Sequence, residues 1–150
     1  MRDVTLIDDV RSAASADDDP DERAKRAADL IRHRTGYRWV GIYRVTESEV
    51  RNLAWSGPAA PAYPNFPIDR GLTGAAIESR ASVVSNDVAH DARYLTNQES
   101  TGSELIVPVI VDETIVGTLD VEDAETDAFE DRDIAFFKGV AAALAGLYAG

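Results

Sequence analysis

The chain has 150 residues, 45% of them apolar and none of them cysteine, which excludes disulfides, zinc–thiolate sites, iron–sulfur clusters and thiol catalysis. A formal charge of −12 with no basic stripe argues against nucleic acid and anionic membranes as partners, because phosphates repel such a surface. The opening MRDVTLIDDVRS lacks the apolar core of a signal peptide and no run reaches the roughly 18 apolar residues of a spanning helix, so one cytoplasmic domain is expected.

From the amino terminus, residues 3–15 predict a weakly amphipathic helix with Val4, Leu6, Ile7 and Val10 near one side. Asp19-Pro20-Asp21-Glu22 starts a second helix: Asp19 caps, Pro20 takes the first helical position, Glu22 completes a capping box, and Gly36 supplies the stop. Residues 37–45 read as a strand with Trp39 and Tyr43 on one face and a gap at Gly41 between them. A second strand over 50–55 returns beside it. Residues 57–67 hold too many prolines for either element and predict a covering loop with two aromatics, Tyr63 and Phe66. Gly71-Leu72-Thr73-Gly74 opens a short helix, 82–86 is a third strand, and 87–99 is irregular with a helical turn near 91–95. A long terminal helix, 130–148, carries Phe137, Val140, Ala141, Leu144 and Tyr148 on one stripe.

Between the irregular segment and the last helix lies SELIVPVIVDETIVGTLDVED, a β-hairpin that sets acids into an otherwise apolar pair of strands. Asp120 and Glu122 share a face because they are two apart. A two-residue loop pairing Val111 with Thr114 puts Glu104 on the opposite face, whereas a three-residue loop or one bulge sets it across from Glu122. We expect the gathered arrangement. Three acids on one face repel each other, and an ammonium group relieves that repulsion; the plainer alternative is a solvated hairpin end. Trp39 and Tyr43 stand equally as core aromatics or as pocket walls. His90 beside Asp87 and Asp91 reads as an exposed histidine rather than a base, and Ser85 and Ser103 have no base partner.

The order of elements, with Gly71-Leu72-Thr73-Gly74, Val84-Ser85-Asn86-Asp87-Val88, the hairpin and the terminal helix, resembles the GAF domain over nearly the whole chain. More narrowly, Trp39-Val40-Gly41-Ile42-Tyr43, Arg70-Gly71-Leu72-Thr73-Gly74, Ser103-Glu104-Leu105-Ile106-Val107-Pro108 and Gly117-Thr118-Leu119-Asp120-Val121-Glu122 are similar to the free methionine-(R)-sulfoxide reductases. The resemblance implies an α+β fold, a central antiparallel sheet with terminal helices on one face and a loop-covered pocket on the other. It also implies one domain over 1–150, with a helical segment 1–35, sheet and pocket over 37–123, and a terminal helix over 130–149.

In that family a tryptophan, a tyrosine and three acids surround the substrate, and these positions fall on Trp39, Tyr43, Glu104, Asp120 and Glu122. The family's cysteines fall at Tyr63, Thr73 and Asn97, all without sulfur here. Reduction of that kind needs one thiolate to attack and a second thiol to resolve. The expected ligand-binding set is therefore Trp39, Tyr43, Tyr63, Thr73, Asn97, Glu104, Asp120 and Glu122, with no catalytic residue, no metal and no cofactor. Three functions follow as expectations: a catalytically silent binder of a small polar molecule such as an amino acid or its sulfoxide; an enzyme whose chemistry has moved to another residue; and a signalling module forming a homodimer through its terminal helices.

Overall fold

The computed structural model describes residues 3–96 and 100–149. Six strands form one sheet in the order β3-β2-β1-β6-β5-β4. They are β1 (Trp39–Val45), β2 (Glu49–Ser56), β3 (Asn65–Pro67), β4 (Val83–Ser85), β5 (Ser103–Val111) and β6 (Thr114–Asp123), and every pair is antiparallel. The helices are α1 (Thr5–Ser15), α2 (Pro20–Thr35), α3 (Gly71–Ser79) and α4 (Asp131–Ala143). The expected α+β architecture is the observed one. Among the described residues no helix is long and apolar enough to cross a membrane.

Strand alternation sends Val40, Ile42, Leu105, Val107, Val109, Leu119 and Val121 to one face, where they meet Leu6 and Val10 of α1, Ile31 of α2, and Phe137 and Val140 of α4. Each such side chain, fully buried, contributes about 1.5–3 kcal/mol. Ala24, Ala27 and Ala28 are buried along α2, and their small size lets that helix lie close over the sheet. The stripe on α4 is likewise covered. Among the described residues the exposed large apolar side chains are Val4, Tyr63 and Ile110.

Several local expectations are corrected. Val4 precedes α1 and is 70% exposed, so it is not part of the stripe. Asp19 does cap α2, accepting the Asp21 N–H at 3.1 Å, but the reciprocal carboxylate contact occurs at α4, where Asp133 accepts the Glu130 N–H at 2.9 Å. The last residues of the proline-rich segment form β3, pairing Asn65 with Arg51, Phe66 with Val50 and Pro67 with Glu49. Pro67 is tolerated because β3 is the sheet edge, where a missing N–H breaks no central ladder. The helical turn of the irregular segment is a 3-10 turn at Val88–His90, and the terminal helix tightens to 3-10 over Ala145–Tyr148, where Gly146 passes close against Ala14 and Ser15.

Candidate functional site

The opposite face of the sheet carries the site, and hairpin register decides its composition. Val111 pairs with Thr114 across a two-residue turn, with Asp112 and Glu113 both at positive φ (49° and 67°). One irregularity between Val109 and Ile110 then shifts the ladder, so that Val109 faces Gly117 and Glu104 faces Glu122. A single bulge thus gathers all three acids. Residues Glu104 and Ile106 on β5, Thr118, Asp120 and Glu122 on β6, and Trp39 and Tyr43 on β1 all belong to this face, since Gly41 pairs with Asp120 and Trp39 with Glu122.

Tyr43, Tyr63, Phe66, Gly71, Leu72, Thr73, Leu95, Glu104, Asp120 and Glu122 surround a hollow of about 30 Å³. That is room for about two water molecules. Six of the eight expected residues therefore meet at one place. Asn97 lies outside the described residues. Trp39 does not line the hollow. Its ring is fully enclosed, its indole N–H donates to the Ala59 carbonyl at 2.9 Å, and its edge fills the space over Gly41, where a Cβ would lie 2.4 Å from the ring. The gap expected at Gly41 is thus closed by Trp39 itself, which pins the covering loop instead of contacting the cavity.

All three acids are buried. The Glu122 Oε1 accepts the Thr101 hydroxyl at 2.6 Å and the Tyr94 hydroxyl at 3.3 Å. Asp120 Oδ1 accepts the Thr118 hydroxyl at 2.9 Å, and the Thr73 hydroxyl also bonds its carboxyl. Glu104 is only 6% exposed, and its Oε2 meets no hydrogen-bond partner among the described residues. Burial, then the neighbouring charges of Glu122 and Asp120, holds the Glu104 carboxyl well above the ordinary carboxylate range. Burial also raises Asp120, against the hydroxyl of Thr118, which favours its charged form. Tyr43 is pushed up by desolvation and by the same three carboxyls. No lining residue is cationic, and the nearby Arg93 guanidinium is already paired with Asp91 at 2.8 Å.

Such a pocket suits a ligand that brings positive charge. The first turn of α3 also reaches the hollow through Gly71, Leu72 and Thr73, and that helix has no side-chain cap. Gly71, at φ +69°, lets Leu95 close over it, where a Cβ would lie 3.1 Å from Leu95 Cβ. Sequence reasoning missed Leu72, Leu95, Tyr94, Thr101 and Thr118. Only Thr118 had a local signal, since it sits two residues before Asp120 on the same strand face. His90 is 2.8 Å from Asp87 and both are exposed, away from the hollow.

Comparison with known proteins gives a consistent picture. The family described as GAF domain matches residues 19–147. The GAF domain-containing protein A of Dictyostelium discoideum is 26% identical over 104 residues, 69% of this chain and 65% of that protein. The free methionine-R-sulfoxide reductase of Escherichia coli is 24% identical over 110 residues, 73% of this chain and 66% of that protein. The chain thus spans just under two thirds of the length of both. The crystal structure of free methionine-R-sulfoxide reductase from Neisseria meningitidis, in complex with its substrate, superposes with a TM-score of 0.85 at 23% identity, covering 95% of this chain and 86% of that one.

Proposed function

We propose that this chain, which belongs to the GAF domain family, binds a small polar molecule bearing an ammonium group, an amino acid or its sulfoxide, in a sensory or regulatory role. The observation that carries the reading is a buried set of three acids around a hollow, with one carboxylate oxygen of Glu104 unpartnered and no cationic side chain in the lining among the described residues. An unpaired buried acceptor is unfavourable by about 1–3 kcal/mol, and an N⁺–H donor from a ligand would offset that cost. The uncapped first turn of α3 supports a ligand with an oxygen-rich second end, such as a carboxylate or sulfoxide.

Catalysis by the reductase route is not available to these residues. Thr73 stands at one of the positions where the resemblance puts a cysteine, and Tyr63 at another; both line the hollow and neither supplies a thiolate. Ligand pockets usually measure about 300–1,000 Å³. The hollow here is about 30 Å³, so an amino acid enters only when the covering segment that carries Tyr63 moves aside.

A thermal-shift screen with amino acids and their sulfoxides tests the reading. A ligand at about 100 times its dissociation constant adds about 2.7 kcal/mol, which for a chain of this size raises Tm by several degrees. Responses confined to ammonium-bearing compounds are expected. A flat response across a broad panel would sink it.

A further inference from the structure

We propose that the empty pocket stores one proton on Glu104, shared with Glu122, and that a cationic ligand enters in exchange for it, so that binding tightens as pH rises. This rests on the reading of the pocket as an amine site and adds how that site is regulated.

The hydrogen-bond inventory places the proton. Glu104 and Glu122 are directly opposite in the β5–β6 ladder and both are buried, so their carboxyls share one face of the sheet side by side. Two ionised carboxylates in that place are acceptors only and repel each other, whereas one O–H between them replaces the repulsion with a hydrogen bond. Glu122 already accepts from the hydroxyls of Thr101 and Tyr94, an arrangement that favours its ionised form. Glu104 has no such donor on its Oε2 among the described residues. The proton therefore sits on Glu104 and points at Glu122.

The surroundings reinforce this from every side. From β6 come Glu122 and Asp120, from β1 the hydroxyl of Tyr43, and from the segment after β4 the carboxylate of Asp91, whose own charge is paired with Arg93. From α3 comes only the neutral hydroxyl of Thr73, and from the cover the phenol of Tyr63. Nothing described in the lining supplies positive charge, so the empty pocket lowers its own repulsion by keeping a proton. When an ammonium enters, its N–H donors take the place of that O–H: the Glu104 O–H bond breaks, the proton passes to solvent or buffer, and the carboxylate left behind pairs with the cation. If the exchange is complete, affinity climbs by up to about tenfold per pH unit until pH passes the value at which Glu104 ionises in the ligand-free pocket, and is flat above it.

Two measurements together test this. In ligand-free protein carrying ¹³C-labelled glutamate, a pH titration followed by NMR should show one side-chain carboxyl carbon still in its protonated position at pH 7, and that signal should be missing in Glu104→Gln. Calorimetry with L-methionine sulfoxide at pH 7, in phosphate and in Tris, should then show about one proton released per site. If every glutamate has finished titrating by pH 5.5, there is no stored proton and the inference fails. Binding with the same heat in both buffers overturns the exchange while leaving the amine site standing. A protonated Glu104 with no heat for L-methionine sulfoxide or for ethylammonium overturns the exchange together with the amine site.

Discussion

Replacing Glu104 with glutamine should stabilise the protein at pH 8 and change it little at pH 5. Glu104 is 6% exposed, has no partner for its Oε2 among the described residues, and faces Glu122 across the ladder. Its folded carboxyl titrates well above the ordinary range because of burial first and the charges of Glu122 and Asp120 second. A carboxyl raised in the folded state contributes its full stability below the unfolded range, near pH 4, and loses it as pH rises through the folded value. Wild type is therefore penalised on the alkaline side. Glutamine keeps the shape, donates an N–H to Glu122 and leaves only a neutral acceptor in the unpartnered place. The gain at pH 8 should be about 1–3 kcal/mol, the range for removing an unsatisfied buried group. For a chain of this length each kcal/mol corresponds to about 2–4 °C. Paired urea melts of both proteins at pH 5 and pH 8 check it. A variant no more stable than wild type at pH 8, or equally stabilised at both pH values, refutes the reasoning.

Trp39→Phe removes the indole N–H that holds the Ala59 carbonyl, and should cost about 1–3 kcal/mol while speeding proteolytic cleavage within residues 57–64. Gly41→Ala forces a Cβ to within 2.4 Å of the Trp39 ring and 2.9 Å of Tyr43. Overpacking of that kind costs about 1–3 kcal/mol or more, so a clear drop in Tm is expected by calorimetry. Tyr63→Ala changes a side chain that is 48% exposed, so stability should move by no more than about 0.5 kcal/mol. The same change thins the cover over the hollow, and stopped-flow association of L-methionine sulfoxide should accelerate.

How far the sequence spoke depended on the kind of contact involved. Strand alternation in β1, β5 and β6 is a period-2 signal, so the core face and the placing of Asp120 with Glu122 were legible residue by residue. Joining Glu104 to them depended on a bulge opposite Val109 and Ile110 and on two left-handed residues, Asp112 and Glu113, neither of which declares a left-handed turn as Asn-Gly does. Trp39 and Tyr43 look alike from the strand, yet one lines the hollow and the other anchors the loop; the difference is made by the Ala59 carbonyl, a partner 20 residues away. β3 was hidden by its prolines because an edge position is a tertiary fact. Thr101 and Tyr94, which hydrogen-bond Glu122, stand in an irregular stretch with no periodicity to point them inward.

Isothermal calorimetry comparing L-methionine sulfoxide with its N-acetyl derivative puts the cation-seeking pocket to the most direct trial, since the two differ at the nitrogen whose charge the acids are held to recognise. Saturable heat from the free amino acid, none from the acetylated one, and loss of the first in Asp120→Asn is the predicted result. Equal binding of both compounds, or binding that Asp120→Asn leaves untouched, would contradict it.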